Sequence, residues 1–505
     1  MKESRTQKAK YNIVCSFLNQ LVSLACGLIV PSLMIRAFGS ETYGATTAIT
    51  QFLAYITLLE GGVGGVARAA LYKPLAEHDQ ERIKGILAEI RNFFRIIAFV
   101  FVGYAVVIGI FFHKISGYEQ LDAVMTFGLV MAIAMSTLVQ YYYGISYNIF
   151  LQADQRLYIL NLVKIITTIL NTILIVILIL NHSGIIAVKF VGSCVFLLRP
   201  IILGIYVKYR YGISIDKCVK GNGNYLQQKW TGMGQHLAFF LHSNTDIVVL
   251  TICSDLKTVA VYSVYNMVVT QVYNVVSSFG GGMEAAFGNI LANNEKEVLK
   301  KSFDIYETFI SAVAITFFST AMVMIYPFVA LYTSKVSDTN YLIPYVGELM
   351  ILGQLLYALR MPYHNMVIAA NHFAQTKKAA YGEAILNITF SILLVFRFGI
   401  IGVVIATVLG YLFRFIYYAV YLSQNILCRK TISFIKRQAI NIILFVLLCL
   451  LGSRFISMFG INNYGVWALC AVIVFAMHCT ITLLVNLVFY KNEISQIIAR
   501  ATRKK

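Results

Sequence analysis

Runs of about 20 apolar residues follow one another along nearly the whole chain, with only short polar breaks between them. A run of that length crosses a hydrocarbon core of ~30 Å as one α-helix, and backbone in lipid must satisfy its own hydrogen bonds. The runs are continuously apolar where a membrane β-barrel would alternate, so a barrel is excluded. About fourteen spans are expected, among them 11–35, 44–71, 233–253, 258–282 and 344–370. With 59% hydrophobic and 12% charged residues, no polar surface remains for a soluble domain. The predicted fold class is an all-α integral membrane protein.

The formal net charge of +19 invites a nucleic-acid reading, but its placement argues against one. Lys and Arg gather in alternate connections, at Lys8 and Lys10, Arg82 to Arg91, Lys208 to Lys229, Lys377 and Lys378, Arg429 to Arg437, and the tail Arg500 to Lys505. The positive-inside rule then puts both termini in the cytoplasm. The first apolar run is of span length and lacks a small-residue cleavage site, so it reads as a span. The nine cysteines form no CxxC pair and read as reduced packing residues, with no metal site and no cofactor expected. All predicted outer loops are short. No outer domain offers room for catalysis, so an enzyme is not expected, whether a glycan polymerase, a ligase or a glycosyltransferase.

One long unit is written twice. Gly184-Ile185-Ile186 returns as Gly399-Ile400-Ile401, and at the same spacing Arg199 returns as Arg414 and Tyr206 as Tyr421. One residue further apart, Gly64 and Gly65 map to Gly280 and Gly281, Leu75 to Leu291, Glu81 to Glu297 and Lys84 to Lys300. Matches of glycine and arginine carry the argument, because an arginine within an apolar helix is costly. Such repeats in the two halves of a chain are a sequence mark of transporters. Each copy holds six spans, an even number, so the copies enter the membrane from the same side, in parallel. The expected organisation is a six-helix lobe over 1–215, a second over 216–432, and two added helices with a basic tail over 433–505. Charged stretches at Glu77–Arg91 and Asn293–Lys301 read as short cytoplasmic helices.

Charges deep within spans must face protein or water. The cations are Arg36, Arg68, Lys164, Lys189, Arg199, Arg360 and Arg414, and they outnumber the acids Glu60, Asp246, Glu284, Glu348 and Glu383. A positive cavity suits a polyanionic head group, since guanidinium forks bind phosphate. Arg68, Arg199 and Arg414 alternatively snorkel to head groups, or Arg199 and Arg414 each pin their own lobe. Glu60 precedes Gly61-Gly62-Val63-Gly64-Gly65 inside the second span, where a bend is expected; Gly280, Gly281 and Gly282 repeat the glycines, with Val276 in place of Glu60. These seven glycines are the hinge candidates. Glu60 reads as a proton or cation site, or as the partner of a buried base. His242 and Asp246 share a helix face and read as a hydrogen-bonded pair or part of the coupling machinery. Glu60, Arg36 and Asp246 have the uncharged counterparts Val276, Ile252 and Val30.

Arg36-Ala37-Phe38-Gly39-Ser40-Glu41-Thr42-Tyr43-Gly44, with Gln51 and the glycine run beyond it, resembles the polysaccharide flippases of the multidrug/oligosaccharidyl-lipid/polysaccharide (MOP) exporter superfamily. Phe38 stands where Leu is more usual. The Leu151-Gln152-Ala153-Asp154-Gln155-Arg156 turn and the arrangement of two six-span repeats plus two spans extend the resemblance over the whole chain. It implies a MATE-like fold and movement of an undecaprenyl-diphosphate-linked oligosaccharide, a unit of capsule, O-antigen or exopolysaccharide, to the outer leaflet of a bacterial inner membrane by alternating access. It also implies a cationic lumen with the polyprenyl tail in lipid, and Arg36 matches the family's motif arginine. A polymerase and other polysaccharide-assembly proteins are candidate partners. A multidrug or cation antiporter and a peptidoglycan-precursor flippase share the superfamily and stand as alternatives.

Overall fold

The computed structural model describes residues 5–118, 120–215, 244–281 and 283–502. Its helices are α1 (Arg5–Ala54), α2 (Val63–Glu77), α3 (Gln80–Ser116), α4 (Ala123–Val139), α5 (Ile145–Ala153), α6 (Leu157–Leu180), α7 (Ile185–Tyr211), α8 (Asn244–Cys253), α9 (Leu256–Ser278), α10 (Met283–Ala292), α11 (Lys296–Tyr332), α12 (Val346–Leu359), α13 (Met361–Ala369), α14 (Phe373–Phe398), α15 (Ile400–Asn425), α16 (Thr431–Ile456), α17 (Tyr464–Phe489) and α18 (Lys491–Thr502). The described residues contain no strand, and the fold is all-helical.

Ten helices among the described residues are long and apolar enough to cross a membrane. Part of the difference from about fourteen expected spans comes from helices that break or merge. The stretch Lys10–Glu60 is 51 residues, about 75 Å at 1.5 Å per residue, which is more than twice a hydrocarbon core. It breaks at Gly39, whose φ of 81° and ψ of 166° are not helical, and so makes two legs. Of the expected span 233–253, only 244–253 falls among the described residues, as α8. The expected span 344–370 is divided into α12 and α13 at Arg360.

The repeat is visible in helix boundaries. α3 and α11 are each 37 residues, and both their first and last residues lie 216 apart. α5 and α13 are each 9 residues at the same spacing. The left-handed turns at His78 and Gln155 recur at Asn294 and Asn371. This arrangement corrects one expectation. The charged stretches after α2 and α10 are the opening turns of α3 and α11, not separate surface helices. Asp79 caps α3 by accepting from the Arg82 amide at 3.0 Å, and the helix then runs on into its apolar part without interruption.

The chain divides into two compact units. Of the described residues, the first holds 5–215 with Asp255–Ala260, and the second holds 244–254 with 261–502. In the first, α1 packs on α6, and α4 on α3 and α7. Polar contacts set the register: Asn161 Nδ2 donates to Ser16 Oγ at 2.9 Å, and the Tyr158 amide to Asn12 Oδ1 at 2.8 Å. The turn Asp154–Arg156 is a lock. Lys8 meets Asp154 at 3.2 Å, Tyr211 donates to the same carboxylate, and Arg156 bonds Asp154 at 2.8 Å and Tyr206 at 2.7 Å. Burial opposes the Arg156 charge, but Tyr211, Tyr206, Tyr158 and Asp154 outweigh it and raise its pKa.

In the second unit α14 lies close against α15. A Cβ at Gly402 would stand 2.4 Å from the Leu394 carbonyl oxygen, so only glycine admits this approach. α16 and α17 pack on α11. There Arg437 donates to Thr308 at 2.7 Å, and the fully buried His478 ring bonds Ser319 at 2.9 Å.

Candidate substrate site

In the first unit, α4, the π-turn Gln140–Gly144 that follows it, α5, α6 and α7 enclose a cleft of about 490 Å³. Lys164 and Arg199 face it, together with Ser136, Gln140, Asn148, Gln152 and Asn161. Its lining contains two cations, four amides and no carboxylate. Arg199 is held by Nε to Thr167 Oγ1 at 2.8 Å, by a longer 3.4 Å contact from Nη2 to Thr168, and by stacking 4.2 Å from the Phe196 ring centre. Among the described residues its Nη1 has no partner, and Lys164 has no carboxylate partner. Behind the cleft, Arg68 Nη1 donates to Gln152 Oε1 at 2.9 Å and sets that amide's orientation. Three sequence-predicted cations, Arg68, Lys164 and Arg199, therefore gather in one region of the first unit. Arg36 is exposed and Lys189 is half-buried, and neither lines the cleft.

In the second unit the predicted cations are paired internally. Arg360 Nη1 meets Glu383 at 2.8 Å, Arg414 Nη1 bonds the other carboxylate oxygen, and Arg414 Nη2 donates to Tyr418 at 2.9 Å. All three charged groups are buried.

Tyr141, within the π-turn, donates to Glu60. Glu60 stands immediately before the break at Gly61 and Gly62, where φ is 56° and 82°. Of the other hinge candidates, Gly64 and Gly65 lie inside α2, Gly280 and Gly281 lie in the turn between α9 and α10, and Gly282 is outside the described residues.

Asp246, on α8, is buried and receives Tyr262 and Thr407 hydroxyls at 2.8 Å each, with Asn387 Nδ2 at 3.4 Å. Asn387 Oδ1 and Ser391 Oγ, one turn apart on α14, are buried without a hydrogen-bond partner among the described residues. His242 lies outside the described residues.

Sequence reasoning missed the four amides of the cleft, because polar residues at helical spacing look like any solvated or packed face. It also missed an apolar groove of about 890 Å³ in the second unit. That groove is lined along α12 by Leu349 to Leu359, along α15 by Ile401 to Ile416 and along α16 by Phe434 to Val446, with Glu348 and Gln438 as its few polar residues besides Tyr345 and Asn441. The fifteen-residue advance along α15 makes it about 22 Å long, most of a hydrocarbon core.

No family model matches the chain, and no curated protein matches it in sequence. Solved structures do match. The lipid II flippase MurJ in an inward closed conformation superposes with a TM-score of 0.68 at 16% identity, over 96% of this chain and 99% of that one. An inward-facing multidrug resistance MATE transporter of the MOP superfamily gives 0.59 at 12% identity, over 80% and 95%. A MOP superfamily transporter from Pyrococcus furiosus, described as having a binding pocket of reverse polarity, gives 0.56 at 12%, over 82% and 95%. At these identities the likeness shows the fold. The chain has the MATE-like architecture found in MOP-superfamily transporters.

Proposed function

We propose that the protein is a flippase that carries a polyprenyl-diphosphate-linked oligosaccharide from the inner to the outer leaflet of a bacterial cytoplasmic membrane by alternating access. The observation that carries this reading is the cleft of the first unit, where Lys164 and Arg199 stand among four amides with no carboxylate in the lining. Cations answer the negative charge of a lipid-linked glycan, and amides, with both donors and acceptors, answer sugar hydroxyls. The apolar groove of the second unit, about 22 Å long, is a surface of the kind an isoprenoid chain covers. A cation or drug antiporter of the same fold needs an acidic pocket, and the basic cleft disfavours that alternative. A peptidoglycan-precursor flippase differs from this reading only in the sugars.

Coupling is assigned to the carboxylates. Asp246, with Asn387 and Ser391 on the adjoining helix, whose side-chain oxygens have no hydrogen-bond partner among the described residues, offers oxygen ligands for a small cation, while Glu60, bonded to Tyr141 at the α2 break, offers a proton site. The direct test uses full-length protein in vesicles with a fluorescent polyprenyl-diphosphate glycan in one leaflet. The label should reach the other leaflet with the wild-type protein and be slowed roughly tenfold or more by Lys164→Gln with Arg199→Gln, the effect of losing charge-assisted contacts. Transfer unchanged in the double variant would remove the cleft from the pathway.

A further inference from the structure

We infer that the cleft of the first unit is a carboxylate site, and that the carried glycan therefore contains an acidic sugar of the hexuronate class. This rests on the flippase reading above and assigns the cleft to the glycan, not to the diphosphate.

The two repeats, laid over each other, set one arginine in two different surroundings. Arg199 and Arg414 are equivalent, 215 residues apart. Arg414 uses Nη1 to bind the Glu383 carboxylate. Subtracting 215 from Glu383 gives Thr168, and subtracting 216 gives Thr167; Arg199 contacts both threonines. Whichever spacing holds in this helix, the second unit places a carboxylate where the first unit has a neutral hydroxyl. Arg199 Nη1, the counterpart of the nitrogen that binds Glu383, is left without a partner among the described residues.

The space around it follows the same pattern. Arg360, the other guanidinium on Glu383, answers Gly144 at the 216 spacing, and Gly144 lines the cleft. The second unit thus fills with its own side chains a volume that the first unit leaves open. Lys164 supplies a second cation one turn before Thr167 and Thr168, where the second unit has Ala379 or Ala380. Glu383 is in effect a built-in template for the absent ligand: a carboxylate between two cations, one of them an arginine at the same position in the repeat. Tetrahedral phosphate would bring a different shape and more charge, whereas a uronate brings one planar carboxylate on a ring whose hydroxyls meet the surrounding amides.

The test uses purified full-length protein in nanodiscs and saturation-transfer difference NMR with D-glucuronate and D-glucose as probes and inorganic pyrophosphate as competitor. Glucuronate should bind at least tenfold more tightly than glucose, resist displacement by equimolar pyrophosphate, and lose roughly tenfold in affinity in Arg199→Gln. Thr167→Glu and Thr168→Glu, which plant the second unit's carboxylate in the first, should between them abolish the glucuronate signal. Lys164→Gln, at an exposed side chain, repeats the measurement if a buried variant fails to fold. Equal binding of the two sugars, displacement by pyrophosphate, or full binding in the variants overturns the inference. In the vesicle assay, equal transfer of neutral and uronate-containing lipid-linked glycans would refute the acidic-sugar assignment while the flippase reading stands; transfer of neither would refute the flippase reading itself.

Discussion

Glu383 has no exposed surface and holds two buried guanidiniums, so neutralising it leaves two uncompensated charges in an apolar bundle. Breaking such a buried network by removing one partner costs about 3–5 kcal/mol. Glu383→Gln is therefore expected to lower stability by about that amount, read as a fall in the unfolding midpoint in detergent, while Arg199→Gln, which orphans no carboxylate, should cost much less. The depth of Arg360 and Arg414 was legible in the sequence, because any arginine within an apolar run announces itself. Their pairing was not. Arg414 reaches Glu383 across 31 residues of chain on a neighbouring helix, and Glu383 appeared only as one acid among five. The same limit hid the cleft: Arg199 was recognised through its match with Arg414, but the swap of threonine for glutamate beside it becomes meaningful only once contacts show which residues the arginines touch.

The glycine run after Glu60 breaks the helix at only part of its length. Four glycines in five residues announced a break in the second span, and the break exists, but it resides in Gly61 and Gly62 alone. Left-handed backbone costs an L-residue about 1–2 kcal/mol, so Gly61→Ala and Gly62→Ala should each destabilise by that amount. Gly64 and Gly65 lie within α2, and a Cβ at Gly64 meets nothing within 4 Å. Gly64→Ala is accordingly expected to stabilise by about 0.5–1 kcal/mol, and thermal unfolding of the three variants side by side separates the two pairs. Composition cannot make this distinction, since all four positions are the same residue. Nor does sequence reveal the π-turn at Gln140–Gly144, which carries Tyr141 to Glu60, because π-turns arise from packing and have no local residue signature. Helix length was legible only in part: hydropathy located the apolar part of α3 and α11, but the charged opening turns are continuous with it.

Over the whole molecule, the two repeats share helix boundaries and differ in charge. Arg68, Lys164 and Arg199 in the first unit correspond to Glu284, Ala379 or Ala380, and Arg414 in the second, where Arg414 is already paired. Lys164 and Arg199 have no carboxylate partner among the described residues, so under the proposed function a bound anion compensates them and the carrier is more positive empty than loaded. An inside-negative potential acts on a moving charge with ~2.3 kcal/mol per 100 mV, and it would draw the empty, positive state back toward the cytoplasmic side after each release. For a lipid diphosphate with about two negative charges the outward bias is on the order of 4 to 5 kcal/mol per 100 mV, or roughly a thousandfold in the leaflet ratio at equilibrium. Under the proposed function, vesicles carrying a potassium diffusion potential should therefore accumulate the labelled lipid in the outer leaflet when the interior is negative, lose the asymmetry when the potential is dissipated, and reverse it when the sign is reversed. Asp246→Asn tests the competing source of bias. If the carboxylate couples a cation to transport, the variant should lose any response to a sodium or proton gradient and keep the response to potential. Asymmetry that persists at zero potential and disappears in Asp246→Asn would instead place the driving force in ion exchange, and the charge difference between the repeats would serve binding alone.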